Sequence, residues 1–166
     1  MARYSLSWKS ITPTATADAT NLTDSTYPFI LLGGSSTMRL NVSEIYIGGE
    51  ATASAPTILV AARDSTVGAT VSAGTTRNAL TDGSSTAPGT TATTGHVATT
   101  KPQRSATLHL LDLSYNAFGG IVRWVARHGE ELSVVGNTAS LGELSLSAFT
   151  GGTPGACSGH CIYEVA

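Results

Sequence analysis

Few residues in this 166-residue chain could do chemistry, and their spacing assembles none of the common reactive sets. A hydrolytic triad needs a serine, a histidine and a carboxylate brought together. The set that can be named is His128, Ser133 and either Asp64 or Asp112. No Gly-x-Ser-x-Gly turn presents a nucleophile, so the many hydroxyls are read as solvating strand edges. A glycosidase would need paired carboxylates, from Glu130 with Glu131 or from Glu143 with Glu164. Glu130 and Glu131 are adjacent and face apart on a strand. Glu143 and Glu164 each read as an outward residue between apolar neighbours.

Cys157 and Cys161 could pair across a hairpin or stay reduced, and free thiols are expected. A zinc reading would add His160, but a structural zinc site takes about four ligands. His160 and Cys161 are also neighbours, so on a strand they point to opposite faces. Trp8 and Trp124 alternate with strand neighbours, and Trp124 is read as core rather than as a sugar-binding platform. Tyr27, Phe29, Tyr46 and Tyr115 are open to either reading. No catalytic residue, metal ligand or cofactor is assigned, and the chain is read as a non-enzyme.

Composition narrows the partners. Hydrophobic residues make up 41% of the chain, enough for a packed core. Charged residues make up 12%, about half the usual share of roughly 25%. Ser, Thr, Ala and Gly fill the gap, which suits a surface partly covered by neighbours. Net charge is −2, and the nearest thing to a basic cluster, Arg123 with Arg127, is followed by Glu130 and Glu131. Nucleic acid and anionic membrane are therefore not expected partners. No apolar run approaches the roughly 20 residues of a membrane span. The first residues alternate like a strand and lack the apolar centre of a signal peptide. The expectation is a protein used where it is made, or released from there by lysis.

The elements that must hold these residues are strands. Period-two alternation bounded by Gly, Asn and Pro recurs along the chain. It predicts strands over 3–11, 28–32, 37–47, 57–63 and 106–113. In the last third, strands at 121–125, 131–135, 141–149 and 160–165 read as a regular, self-sufficient meander. Met38, Leu40 and Val42 share one phase and Ile45 and Ile47 the other, so a β-bulge or a change of sheet is expected near Ser43-Glu44. Both faces of 106–113 are mostly apolar, which predicts a central or doubly covered strand. Gly33-Gly34, Gly48-Gly49, Gly119-Gly120 and Gly151-Gly152 sit at strand ends and are read as corners. Residues 12–27 and 64–105 are long Thr/Ala/Gly-rich connections, with short strands possible at 67–71 and 93–99. A neighbouring subunit is expected to hold the 64–105 segment. The whole chain, 1–166, is read as one all-β domain of eight to ten strands, an antiparallel jelly-roll or related β-sandwich.

Several phrases point to a family. They are Ala2-Arg3-Tyr4-Ser5-Leu6, Val42-Ser43-Glu44-Ile45-Tyr46-Ile47-Gly48-Gly49, Ala62-Arg63-Asp64-Ser65 and Lys101-Pro102-Gln103-Arg104. The last third adds Gly119-Gly120-Ile121-Val122-Arg123-Trp124-Val125-Ala126, Gly136-Asn137-Thr138-Ala139 and Ser145-Leu146-Ser147-Ala148-Phe149. As a set they resemble the jelly-roll decoration (cement) proteins of tailed-bacteriophage capsids. These are strand and turn phrases, and no catalytic residue carries over with them. The resemblance implies a virion protein on the capsid surface, a homotrimer that clamps the major capsid protein. It implies grips in segments 1–27 and 64–105, with Arg3, Lys9, Tyr27, Arg77, Lys101 and Arg104 at the partner interface. The alternative is a receptor- or glycan-binding tip of a tail or head fibre.

Overall fold

The computed structural model describes residues 29–32, 37, 39–66, 69–72, 93–95, 97–100, 102–136, 142–148 and 157–165. The predicted strand 3–11 and the interface residues Arg3, Lys9, Tyr27, Arg77 and Lys101 lie outside them. Eleven strands occur among the described residues. They are β1 (Phe29–Leu32), β2 (Arg39–Gly49), β3 (Pro56–Thr66), β4 (Ala69–Ser72), β5 (Thr93–Gly95) and β6 (Val97–Thr100). The others are β7 (Gln103–Asn116), β8 (Ile121–Val125), β9 (Leu132–Val135), β10 (Glu143–Ala148) and β11 (Cys157–Val165). No helix of the described residues is long and apolar enough to cross a membrane.

Two antiparallel sheets pack into a sandwich. The five-stranded sheet has the order β5-β1-β10-β3-β7. The four-stranded sheet runs β11-β2-β8, with β9 also paired to β2. A separate small sheet joins β4 to β6. Leu59, Ala61, Leu113, Tyr115, Leu144, Leu146 and Ala148 from the first sheet meet Leu40, Val42, Ile45, Ile47, Leu132 and Val134 from the second. Each fully buried aliphatic of this kind contributes about 1.5–3 kcal/mol through removal from water. Trp124 packs against this core, as its alternation predicts.

The phase switch in β2 is a bulge. Ile162 pairs with Glu44 and Tyr163 with Val42, which leaves Ser43 as the extra residue. The other edge of β2 changes partner at the same place, from β9 along Arg39–Val42 to β8 along Glu44–Gly48. The Ala126 amide closes the gap by donating to the Ser43 carbonyl at 2.8 Å.

The connection β2–β3 and the turn β7–β8 both cross between the sheets, and they pair with each other. Gly49 N donates to Gly120 O, Ala51 N to Ala117 O and Ala117 N to Ala55 O, each at 2.9 Å. Gly119 turns with φ +72°, and a Cβ at Gly49 would strike the Ala117 carbonyl. The glycines at 49, 119 and 120 therefore mark a sandwich corner, as expected.

One expectation is corrected and another narrowed. The last third is not a meander, because no two consecutive strands from β7 to β11 pair among the described residues. Each pairs instead with β1, β2 or β3. Of the two alternatives for the strand at 106–113, central or covered on its second side, the second stands, because β7 ends the order of its sheet among the described residues while His109 and Leu113, on opposite faces, are both buried. The apolar residues of β7 reach both sides because its register against β3 shifts three times, so that Leu110 and Leu111 both pack against the core. Within segment 64–105 the described strands β4, β5 and β6 lie close to the short strands expected at 67–71 and 93–99, its ends belong to β3 and β7, and β5 pairs with β1.

Candidate functional site

Two places on this frame gather polar or exposed apolar side chains. The first is the outer face of the four-stranded sheet. In an antiparallel pair, opposed residues share a face. The inward residues of β2, β8 and β11 include Ile45, Ile47, Val122, Trp124 and Cys161. The outward rows are therefore Ile162–Glu44–Val125 and His160–Tyr46–Arg123, with Gly48–Ile121 beyond them.

The middle of this face is polar and ordered. Glu44 accepts from Arg123 Nη2 at 2.8 Å and Nε at 3.1 Å, a two-pronged ion pair. Glu44 Oε1, the oxygen that accepts from Arg123 Nε, also lies 2.8 Å from His160 Nε2. The Arg123 guanidinium first, then His160, hold the Glu44 carboxyl below the usual carboxylate range. The His160 ring stacks on Tyr46 with centroids 5.2 Å apart. Ile121 (65% exposed) and Val125 (54%) flank this cluster on β8, and Phe118 (59%) projects from the adjoining turn. The face thus combines bare aliphatic groups with a pre-ordered charged centre, the mixture seen where protein surfaces meet.

The second place is the face of the five-stranded sheet that points away from the core. In β10, Leu144, Leu146 and Ala148 enter the core, so Glu143, Ser145 and Ser147 point the other way. All three are buried nonetheless. Opposite them β3 presents Val60, Ala62 and Asp64, also buried. Strand β7 contributes Arg104 opposite Asp64 and His109 opposite Ala62. Ser145 Oγ donates to Asp64 Oδ1 at 2.7 Å. Arg104 Nη1 donates to Ser147 Oγ at 2.6 Å and to the Ala148 carbonyl at 3.3 Å. Burial, with the nearby Glu143 charge next, pushes the Asp64 carboxyl up to about 9.

These positions correct two sequence expectations. Glu143 is not an outward residue but is wholly buried, because β10 lies between β1 and β3 and its second face is closed from water. Arg104 is not at a partner surface. It is 2% exposed, with its guanidinium spent on β10. The alternation of Glu143–Ala148 was the available signal, since polar residues at period two on a central strand must be buried wherever both faces are covered.

The structure does not bring the other sets together. Ser133 lies in the four-stranded sheet with its Oγ donating to Asn41 Oδ1 at 2.7 Å, while Asp64 lies in the five-stranded sheet. The His128 side chain is fully exposed, its nearest acidic oxygen being Glu131 Oε1 at 3.9 Å. Glu143 and Glu164 belong to different sheets. Glu131 accepts from Gly129 N at 2.9 Å in the turn before β9. His160 and Cys161 fall on opposite faces, and no group of three or more His, Cys, Asp or Glu side chains suits a metal ion among the described residues. Neither cysteine is in a disulfide, and both pack against the core. Four residues apart on one strand, they are separated by about 13 Å at Cα, beyond disulfide reach. Burial raises both, Cys161 to about 12.

No protein-family model, curated protein or solved structure matches this chain.

Proposed function

We propose that this chain is a structural protein of a tailed-bacteriophage virion, a jelly-roll decoration protein that binds the outer capsid surface as a trimer. The observation that carries the reading is the outer face of the four-stranded sheet. There Ile121 and Val125 stand bare beside the Glu44–Arg123 pair on regular, well-braced strands. A clamp needs such a rigid, weakly charged surface and no cleft, and only 12% of the residues are charged. The strand order β1-β10-β3-β7 supports the jelly-roll form, because early and late strands interleave in one sheet as paired Greek keys require. The His160 ring covers a face of Tyr46 that a sugar would use, which favours a protein partner over a glycan.

The action would be mass action. A protein that binds only the assembled shell stabilises it in proportion to its occupancy. In this reading Ile121, Val125 and Phe118 pack on the major capsid protein, while Glu44 and Arg123 set the register of the contact. The test is to mix purified protein with undecorated capsids, measure binding, and heat the shells. Binding with a higher rupture temperature is expected. Absence of binding, or binding with no change in rupture temperature, overturns the reading.

A further inference from the structure

Asp64 and Glu143 are carboxyl groups on neighbouring strands, one residue beyond the Leu144–Arg63 pair and so opposite each other in register. Both are fully buried. Asp64 Oδ1 accepts from Ser145, and Oδ2 is buried with no hydrogen-bond partner. After burial itself, the nearby Glu143 carboxyl is what pushes the Asp64 carboxyl up. Two buried carboxylates side by side repel, and a proton held by one of them relieves the repulsion.

We propose that Asp64 and Glu143 share one proton that locks β3 to β10, so that the five-stranded sheet loosens on the alkaline side.

The charges around the pair fit a single negative charge. From β7, Arg104 sits opposite Asp64 and supplies one positive charge. His109 and Asp112 are the other titratable groups on that strand, opposite Ala62 and Val60. From β1, Leu32 lies opposite Glu143 and contributes no charge. One proton on the pair, with Arg104 beside it, leaves the cluster electrically neutral. A second negative charge in this closed site would outnumber Arg104, leaving His109 as the other group on that face of β7 able to carry a positive charge. Burial of Asp64 keeps the proton on up to about pH 9, where an ordinary aspartyl releases it near 3.8. Between those values the folded state carries a proton that the unfolded chain has lost, so unfolding releases one proton and stability falls as pH rises.

The test uses the full chain. Urea unfolding is measured from pH 5 to pH 9 for the natural protein and for Asp64→Asn, whose amide can donate to Glu143 at every pH. The natural protein should show its folded-to-unfolded ratio falling by up to about tenfold per pH unit, as release of one proton demands. In Asp64→Asn this slope should flatten. Because a variant at a buried site can fail to fold, carbon NMR of the natural protein's carboxyl groups provides an independent reading. One Asp signal should remain protonated at pH 7 and titrate on the alkaline side. An unchanged slope in Asp64→Asn overturns the proposal, as does an Asp64 signal already ionised at pH 7.

Discussion

Arg104 Nη1 donates to Ser147 Oγ at 2.6 Å, tying β7 to β10 beneath the strand that separates them. The bond crosses β3, so it braces three strands at once. It is possible because β7 departs from its register between His109 and Arg104 and brings the arginine inward.

Replacing Arg104 is therefore a core change. Arg104→Ala leaves the buried acidic pair without its cation, and breaking a buried charge set in this way costs about 3 kcal/mol or more. Urea denaturation should show this as a lowered midpoint. Arg104→Lys should recover only part of it, since one ammonium does not reproduce the guanidinium fork.

The corner rests on Asn116. Its Oδ1 accepts from Ala55 N and Phe118 N, both at 3.0 Å, and its Nδ2 donates to Ser54 at 3.0 Å. Asn116→Ala removes three partly solvated bonds and should cost about 1–2 kcal/mol. Asn116→Asp keeps the two acceptor bonds and should cost less. Thermal melts of the two variants separate these outcomes.

Gly49→Ala tests the same corner by sterics. The new methyl would meet the backbone carbonyl of Ala117, which cannot swing aside as a side chain can. A loss of about 1–3 kcal/mol is expected, in the range of overpacking. Gly48→Ala, with only the Tyr46 hydroxyl 3.9 Å away, is the matched control and should cost less.

The thiols should be present and slow. Burial drives the Cys161 thiol up to about 12 and raises Cys157, whose neighbour is the Tyr115 hydroxyl from the facing sheet. Alkylation at pH 8 should therefore be slow in the folded protein and rapid in urea, with two reactive thiols counted without added reductant. A count of zero in non-reducing urea would mean that the two are bonded after all.

The exposed face separates binding from folding. Ile121→Asp and Val125→Asp alter groups already in water, so melting temperature should change little. If that face meets the capsid, both variants should lose shell binding. Retained binding would move the contact elsewhere on the molecule.

Much of this molecule follows from local pattern. Alternation in Ile121–Val125 places Trp124 inward, and the phase switch in β2 marks Ser43 as a bulge, because side-chain direction on a strand has a period of two. Glycines at 49, 119 and 120 mark a corner because backbone approach and positive φ leave no room for other residues. Pairing is not local. The strands after residue 102 look like consecutive neighbours, yet each joins β1, β2 or β3, since a sandwich closes by long-range contacts that no short window contains. The same holds for Asp64, Glu143 and Arg104. Sequence alone reads Glu143 as outward and Arg104 as a partner contact, and only the closing of both faces of the five-stranded sheet places them with Asp64 out of water. That closure makes two acids and an arginine a proton-holding cluster, because the cost of a buried charge depends on what surrounds it.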